Sequence, residues 1–221
     1  MKTKTLQLFI LLSMVLSMTF NSVFAQKKSD KSKAQIIKLF NGKDLNNWAF
    51  CLKDPKVNPA SVFTIRNKVI HITGNPFGYM RTKESFSNYK LHVEWRWPNE
   101  ATNSGVFVHG QLPDTIWLRC FECQLMAGNA GDFVCMNGAN MKELTNKSKI
   151  VIKKLAASSE KPAGKWNTME VTCEGNTIQV MVNGILQNKG TGLSVVSGHI
   201  CLQSEGKDIE FRNVFLTRLT K

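Results

Sequence analysis

Carboxylate, amide and basic side chains recur at every second position along four apolar segments of this 221-residue sequence, at 91–98, 104–109, 120–125 and 200–205. Successive side chains of a β-strand point to opposite faces of the sheet, so each segment should have one apolar and one polar face. The residues on the expected polar faces are, in chain order, His92, Glu94, Arg96, Phe107, His109, Glu122, Gln124, Gln203 and Glu205.

This combination of residue types is typical of a site that binds a sugar. Carboxylates and amides hydrogen-bond to hydroxyl groups, and an aromatic ring such as Trp117 can stack on the apolar face of a pyranose. Asn103 and Ser104 precede Gly105, and the glycine allows a ligand to approach the backbone closely. For any one of these residues, an exposed polar strand face is the simpler interpretation, but their combination favours a carbohydrate site.

The elements that would position these residues are short strands separated by turns. The expected strands are 62–66, 69–73, 79–82, 89–97, 104–109, 116–126, 166–174, 177–182, 199–203 and 209–219. Asn183-Gly184 is a strong signal for a type I′ hairpin turn. Segments 139–144 and 146–155 have patchy apolar spacing and are loops or short helices. The sequence therefore predicts an all-β fold, an antiparallel β-sandwich of two sheets.

The N-terminal segment has the three zones of a signal peptide. Lys2 and Lys4 precede the apolar stretch 6–20, and residues 23–25 (VFA) form a cleavage site before Gln26. The apolar stretch is short for a transmembrane helix, which needs about 20 residues. We therefore expect a signal peptide at 1–25, a polar tether at 26–35 and a single domain at 36–221. The mature protein would be periplasmic or secreted, without a transmembrane segment.

The charge of the chain is strongly basic and unevenly distributed. Of 29 basic residues two lie in the signal peptide, so 27 remain against 16 acidic residues and the mature charge is +11. Lysines concentrate at 27–38 and 142–165. Solvated segments are the simpler interpretation, and attraction to acidic glycans or an anionic membrane is the alternative. Nucleic acid is not an expected partner, because the sequence has no binding motif for it.

The six cysteines follow the predicted mature N-terminus, where disulfides are permitted. Cys120 and Cys123, however, lie three residues apart in an expected strand, with side chains on opposite faces and about 10 Å between them. This exceeds the limit of about 7 Å between the Cα atoms of a disulfide. We therefore expect mostly buried thiols, and no structural zinc site.

Ordered motifs over residues 36–219 resemble the 3-keto-disaccharide hydrolase domain family. They are LFNGKDLNNW (39–48), YMRTK (79–83), EWRWP (94–98), NSGVF (103–107), ECQL (122–125), GD (131–132), EKPAG with WN (160–167), VNG (182–184) and LQSEG with IEFRNV (202–214). The resemblance implies an exported bacterial protein with a concanavalin-like, or laminarinase-like, sandwich. His109 stands where the family commonly has arginine and Lys165 where it has an acid, and these departures bear on the substrate.

The resemblance also implies a reaction, cleavage of a glycoside whose glucose-like ring carries a ketone at C3. The ketone acidifies the proton on C2, because the resulting carbanion delocalises into an enolate. A base removes that proton, the substituent on C1 leaves by β-elimination, and water adds back. The site therefore needs a base, an electrophile for the enolate oxygen and an acid for the leaving group. A divalent metal is one candidate for the electrophile.

Residues for these roles follow from the resemblance and from the polar faces. The candidates for proton transfer are Glu94, Glu122, Glu205, His109 and His92, with Glu122 as the first choice of base. The candidates for substrate binding are Arg81, Arg96, Asn103, Ser104, Trp117, Gln124 and Gln203.

Two other functions remain open at this point. A conventional glycosidase uses two carboxylates that flank the scissile bond. In laminarinase-like proteins these tend to alternate along one strand, whereas here Arg96 follows Glu94 and Gln124 follows Glu122 on the same face. A non-catalytic, lectin-like module would need the same polar face without proton transfer.

Overall fold

The computed structural model describes residues 35–219, so the predicted signal peptide and nearly all of the tether lie outside the described residues. The described chain contains fifteen strands and one short 3-10 helix, Pro59–Ser61. The strands are β1 (Ile36–Lys38), β2 (Trp48–Leu52), β3 (Phe63–Arg66), β4 (Val69–Ile72), β5 (Gly78–Thr82), β6 (Tyr89–Arg96), β7 (Gly105–Gly110), β8 (Cys120–Gln124), β9 (Phe133–Met136), β10 (Val151–Ile152), β11 (Asn167–Glu174), β12 (Thr177–Val182), β13 (Ile185–Thr191), β14 (His199–Ser204) and β15 (Ile209–Arg218). No helix in this range is long and apolar enough to cross a membrane.

The strands form two antiparallel sheets, as the sequence predicted. The eight-stranded sheet has the order β13-β12-β11-β6-β15-β4-β3, with β1 paired to β15. The seven-stranded sheet has the order β10-β9-β8-β7-β14-β5-β2. Consecutive strands pair in both sheets, as in β7-β8-β9-β10, and non-consecutive pairs such as β7 with β14 and β6 with β11 bring together the polar faces of segments that are distant in sequence.

The core lies between the sheets and contains the apolar faces that alternation predicted. From the eight-stranded sheet, Leu91, Val93 and Trp95 are completely buried. From the seven-stranded sheet, the inward residues include Val106, Val108, Phe121, Cys123, Ile200 and Leu202. Burying one face fixes the register of each strand, because a slip by one residue would expose the whole apolar set.

The hairpin predicted at Asn183-Gly184 is confirmed. Both residues have positive φ, 49° and 82°, as a type I′ turn requires. The turn joins β12 to β13, a strand that the sequence had indicated only as the continuation of this hairpin.

Several element boundaries differ from those expected. The predicted strand 116–126 is strand only over Cys120–Gln124, and residues 111–119 form a loop that folds over the seven-stranded sheet. Segments 139–144 and 146–155, expected to be loops or short helices, are irregular and without helix, except that Val151–Ile152 pairs with β9 as a short strand. The backbone groups of this segment bond to the neighbouring sheet, for example the amide of Cys135 to the carbonyl of Ile150 at 2.8 Å. The apolar spacing of this segment favours a helix only weakly, and its backbone forms hydrogen bonds with β9 instead of helical ones.

The prediction that His109 faces outward is wrong. Opposite β14, His199 pairs with Gly110 and Cys201 with Phe107, so β7 contains one extra residue, a β-bulge. His109 occupies the bulge with φ of 56°, and its ring packs between Tyr89 and Phe121 inside the sandwich. The bulge interrupts the alternation of side chains that the sequence pattern assumes.

The expectation of free, mostly buried thiols is confirmed. All six cysteines lie within the described range and are free, and Cys51 is the one that is not fully buried. Cys120 belongs to an apolar cluster on the outer face of the seven-stranded sheet, whereas Cys123 lies in the core. The two thiols are therefore on opposite faces, as strand geometry predicted.

Candidate functional site

A cleft of about 340 Å³ lies on the outer face of the seven-stranded sheet. It is lined by Trp117, Glu122, Gln124, Val134, Met136, Asn137, Ile150, Val151, Gln203 and Glu205. Five of these are residues that the sequence selected: the two glutamates, the two glutamines and the tryptophan. The structure thus brings together residues from β8, from the end of β14 and from the 111–119 loop.

Strand pairing explains why these side chains meet. Gln124 pairs with Gly105 across β8 and β7, and Leu202 pairs with Val106 across β14 and β7, which places Gln203 beside Gly105. Because these positions share the outer face, their side chains form one row across three strands. Glu122 lies one row away, opposite Phe107 on one side and Val134 on the other.

Gly105 provides the space that the carboxyl group of Glu122 occupies. A Cβ atom at position 105 would lie 2.8 Å from Cδ of Glu122 and closer still to its Oε1 atom. Any side chain here would therefore push the carboxyl out of its position. The sequence had marked this glycine for close approach of a ligand, and in the structure the group that approaches it is Glu122 itself.

Glu122 is a carboxyl group held in an unusual environment. It is only 5% exposed, and its Oε1 atom has no hydrogen-bond partner among the described residues. Burial, with a smaller contribution from the charge of Glu205, raises the pKa of Glu122 to about 8. At pH 7 only about a tenth of the molecules would carry an ionised Glu122. The protonated group can donate a hydrogen bond or a proton.

Glu205, just beyond the end of β14, is the second carboxyl group of the cleft. Burial raises the pKa of Glu205, and side-chain hydrogen bonds with Asn103 and Gln203 partly oppose this rise. The two glutamates therefore have different environments, since Asn103 and Gln203 lower the pKa of Glu205 against the effect of burial, whereas Oε1 of Glu122 has no hydrogen-bond partner among the described residues. Such a difference separates the protonation states of two nearby carboxyl groups.

Amide groups surround the two carboxyl groups. Oε1 of Gln124 accepts hydrogen bonds from the backbone amides of Leu125 and Met126, both at 2.9 Å. Its NH₂ group is therefore left to donate to a ligand. The oxygens of Gln203 and Asn103 are buried without a hydrogen-bond partner in the described range. Buried polar atoms of this kind normally have partners, so these two oxygens have unused capacity to accept hydrogen bonds.

Trp117 forms one wall of the cleft, and the 111–119 loop that carries it is pinned to the sheet. Arg81 donates two hydrogen bonds of 2.7 Å to Asp114, and the hydroxyl of Tyr79 contacts the same carboxylate at 3.1 Å. The Trp117 side chain remains 60% exposed while its ring packs against Phe77 at a centroid distance of 5.0 Å. Arg81 was expected to bind substrate; in the structure its guanidinium instead holds the loop.

Ile150 and Val151 form the opposite wall, which is anchored by a buried carboxylate. Asp132, 2% exposed, accepts a hydrogen bond of 2.8 Å from the ammonium group of Lys153 and another of 2.8 Å from the backbone amide of Lys154. The ammonium group of Lys153, on a side chain that is 72% exposed, and the backbone amide of Lys154 thus fasten the basic segment 142–165 to the residue before β9.

Glu94, Arg96 and His92 do not belong to this cleft, which corrects the sequence-based expectation. They lie on β6, on the outer face of the other sheet, while the core separates them from Glu122. Their apolar neighbours were placed correctly, but a polar strand face does not reveal which sheet it belongs to.

On that opposite face the three residues belong to a network of ion pairs. Glu94 contacts Arg212 at 2.6 Å and Asn213 at 2.7 Å, Arg96 pairs with Glu210, and His92 pairs with Glu170. The Arg96 and Arg212 guanidinium groups also lie 4.7 and 4.0 Å from the ring of Trp166. The hydrogen bond to Glu170 is the main cause that raises the pKa of His92. Since every charged group here has a partner, a structural role suffices for these residues.

His109 and Ser104 are also absent from the cleft. Nδ1 of His109 donates to the carbonyl of Val195 at 3.0 Å, and burial lowers the pKa of His109 to about 4. A neutral ring inside the core cannot exchange protons with a ligand on the outer face. The hydroxyl of Ser104 donates to the carbonyl of Gln203 at 2.9 Å and so joins β7 to β14.

The sequence did not identify the aliphatic edge of the cleft, formed by Val134, Met136, Ile150 and Val151. Val134 and Met136 lie on a strand of four residues, Val151 lies on a strand of two, and Ile150 directly precedes it, so none of these segments is long enough to show a clear alternation. Within the described residues, no three histidine, cysteine, aspartate or glutamate side chains come together as a metal-binding group. The carboxylate and amide oxygens around Glu205 are the ligand types that a hard divalent cation prefers.

The fold is a jelly-roll sandwich, and glycosidases and carbohydrate-binding modules are among the solved structures that share it. A proposed glycosyl hydrolase from Parabacteroides distasonis superimposes with a TM-score of 0.64 at 19% identity, covering 84% of this chain and 94% of that one. The β-glucanase of Bacillus licheniformis gives 0.58 at 11% identity, over 85% and 98% of the two chains. A carbohydrate-binding module from Bacillus subtilis gives 0.59 at 8% identity, over 77% and 95%. At these identities the similarity establishes the fold alone.

The family follows from a sequence comparison. Residues 35–217 match the model of the 3-keto-α-glucoside-1,2-lyase-like domain, and the chain belongs to this family. Among curated proteins, no sequence matches the chain significantly. Membership confirms the resemblance inferred from the ordered motifs.

Proposed function

We propose that this protein is an exported enzyme that cleaves 3-keto-glycosides by β-elimination and rehydration in the cleft between Trp117 and Val151. The observation that supports it best is the state of Glu122, a buried carboxyl with one unpartnered oxygen and a pKa raised to about 8, beside a second carboxyl. A carboxyl group with a strongly raised pKa is typical of acid–base catalysis, and a protein that only binds sugars has no need of one. Export is proposed from the N-terminal sequence pattern.

The different environments of the two carboxyl groups suggest a division of roles. Burial raises the pKa of Glu205, but Asn103 and Gln203 favour its ionised form, a contribution that Glu122 lacks, so Glu205 is the better base for the C2 proton. Glu122 is mostly protonated at neutral pH, so it is the better acid for the leaving oxygen. This assignment replaces the sequence-based choice of Glu122 as the base.

The proposed reaction conserves protons and electron pairs. Glu205 takes the proton from C2, the C–H electrons form the enolate, and their return breaks the bond between C1 and the leaving oxygen. Glu122 donates its proton to that oxygen, which leaves an unsaturated 3-keto sugar. Water then adds across the double bond: Glu122 takes a proton from the attacking water and Glu205 returns one to C2. Both carboxyl groups end in their starting states.

The remaining lining groups have supporting roles. The NH₂ group of Gln124 is available to donate to the enolate oxygen, because its own oxygen is committed to the backbone. The exposed ring of Trp117 is available to stack on the sugar.

Hydrogen exchange separates this reaction from passive binding. Incubation of a 3-keto-glucoside in D₂O should exchange the C2 proton and release the aglycone. Glu205→Gln should suppress both by about 10²- to 10⁴-fold, the usual effect of removing a general base. Glu122→Gln should suppress release while C2 exchange continues. Glu94→Gln, on the opposite sheet, is the matched control and should leave both rates unchanged.

Other outcomes point to other functions. A protein that binds the sugars but neither exchanges nor cleaves them would be a glycan-binding module. Cleavage of unoxidised glycosides at a comparable rate would indicate a conventional glycosidase. Repeating the assay with a chelator distinguishes amide donors, which would be unaffected, from a divalent metal as the electrophile.

A further inference from the structure

We propose that the aliphatic edge of the cleft is a subsite for an apolar aglycone, so that the natural leaving group is a hydrocarbon-like alcohol rather than a second sugar. The inference rests on the proposed function, because it assigns the substrate class to the same site. It follows from the unequal chemistry of the cleft on the two sides of Glu122.

Strand pairing orders the cleft across the sheet. From Glu122, the outer-face row continues to Val134 on β9 and then to Val151 on β10 at the sheet edge. On the β7 side Glu122 pairs with Phe107, and the polar positions lie in the next row along the strands, where Gly105 stands between Gln124 and Gln203, with Glu205 just beyond the end of β14. Glu122 therefore has aliphatic residues towards β9 and β10, the aliphatic half of the cleft, and polar residues in the neighbouring row across β8, β7 and β14, the polar half.

The polar half suits the reacting sugar. It contains both carboxyl groups and the amides of Gln124 and Gln203, and Trp117 is available there as a stacking platform. The bond to be broken would lie above Glu122, and the leaving group would then extend towards β9 and β10.

The aliphatic half does not suit a second sugar. Its lining consists of Val134, Met136, Ile150 and Val151, and Asn137 is the one polar side chain among the described residues that line it. A pyranose has hydroxyl groups around its rim, and each hydroxyl that loses water without gaining a partner costs free energy. An apolar aglycone gains from the same burial.

The outer part of the aliphatic half, Ile150 and Val151, is exposed and firmly held, and Val134 and Met136 are buried beside it. The exposed fraction is 55% for Ile150 and 38% for Val151, although both are large apolar residues. The carbonyl of Ile150 accepts a hydrogen bond from Cys135, and Asp132 binds the segment immediately after Val151. A fixed apolar wall that faces open space next to the catalytic carboxyls is a preformed binding surface.

The experiment compares 3-keto-glucosides that differ in the aglycone alone. Methyl and cyclohexylmethyl 3-keto-β-glucoside, and their α anomers, have alkoxide leaving groups of similar basicity, so a rate difference reports binding of the ring. We expect kcat/KM to be at least tenfold higher for the cyclohexylmethyl glycoside than for the methyl glycoside or a 3-keto-disaccharide. The double variant Ile150→Thr/Val151→Thr nearly keeps side-chain shape and should lower this ratio at least threefold.

Controls make the failure of each proposal distinguishable. Ile185→Thr changes a 50% exposed isoleucine on the other sheet. This variant should have the same ratio of kcat/KM between the cyclohexylmethyl and methyl glycosides as the unaltered protein. Binding of the unoxidised methyl and cyclohexylmethyl glucosides, measured by calorimetry, tests the subsite without any catalysis. Equal kcat/KM values, or a preference for the disaccharide, would overturn the aglycone inference while the lyase function stands. If no glycoside is turned over but the cyclohexylmethyl compound binds more tightly than the methyl compound, the proposed function is refuted and the apolar subsite is supported.

Discussion

Replacing Glu122 by glutamine should stabilise the protein by an amount that grows with pH. Between the ordinary carboxyl pKa of 4.5 and the raised value of about 8, the folded protein keeps a proton on Glu122 that the unfolded chain has lost. The stability of the unaltered protein therefore falls as pH rises through this window. Each pKa unit corresponds to about 1.4 kcal/mol. The free energy of unfolding of the unaltered protein should therefore be lower by about 5 kcal/mol above pH 9, and by about 3 kcal/mol at pH 7, than in acid.

Glutamine has nearly the shape of a protonated glutamate and does not titrate, so Glu122→Gln avoids this loss. We expect the variant and the parent to unfold with similar free energies near pH 4.5, and the variant to be more stable by about 3 kcal/mol at pH 7. Aglycone release should meanwhile fall by about a hundredfold or more. Urea denaturation at pH 4.5, 7 and 9, followed by tryptophan fluorescence, measures the difference.

Glu94→Gln provides a control of opposite sign. Burial raises the pKa of Glu94, but hydrogen bonds from Asn213 and Arg212 outweigh it and the net pKa is lowered. Its ionised form therefore stabilises the fold above the ordinary pKa, and that contribution disappears as pH falls through the lowered value. Glu94→Gln should be less stable than the parent at pH 7 and approach it in acid. A difference between Glu122→Gln and the parent that is the same at all three pH values would refute our description of Glu122.

Three further measurements test other parts of the structure. Gly105→Ala should lower kcat at least about tenfold with an unchanged circular dichroism spectrum, because the new methyl group displaces the Glu122 carboxyl; full activity would show that this carboxyl position is unimportant. A thiol reagent should modify only Cys51 in the native protein and all six cysteines after unfolding, since the others are buried; rapid reaction of a second thiol would contradict the packing of the sheets. N-terminal sequencing of protein from its host should show a start at or near Gln26, and an intact Met1 would exclude the proposed export.

The sequence by itself determined the class of fold and the orientation of most strands. Alternation in 89–97 and 120–125 identified which side chains enter the core, because a sheet pleat has a period of two and the large apolar residues of each segment share one face. The same pattern placed Glu122 and Gln124 together on an outer face. The ordered motifs sufficed to identify the family.

Only the tertiary structure decided which polar faces share a site. Glu94 and Glu122 both lie on polar strand faces, but long-range pairing puts their strands in different sheets, on opposite sides of the core. One bulge turned His109 inward, and a two-residue strand at Val151 completed the cleft. Periodicity is a local property of one strand, whereas strand order, bulges and edge pairing depend on partners far away in the chain. The raised pKa of Glu122 also depends on tertiary contacts, because residues from several strands bury this carboxyl group.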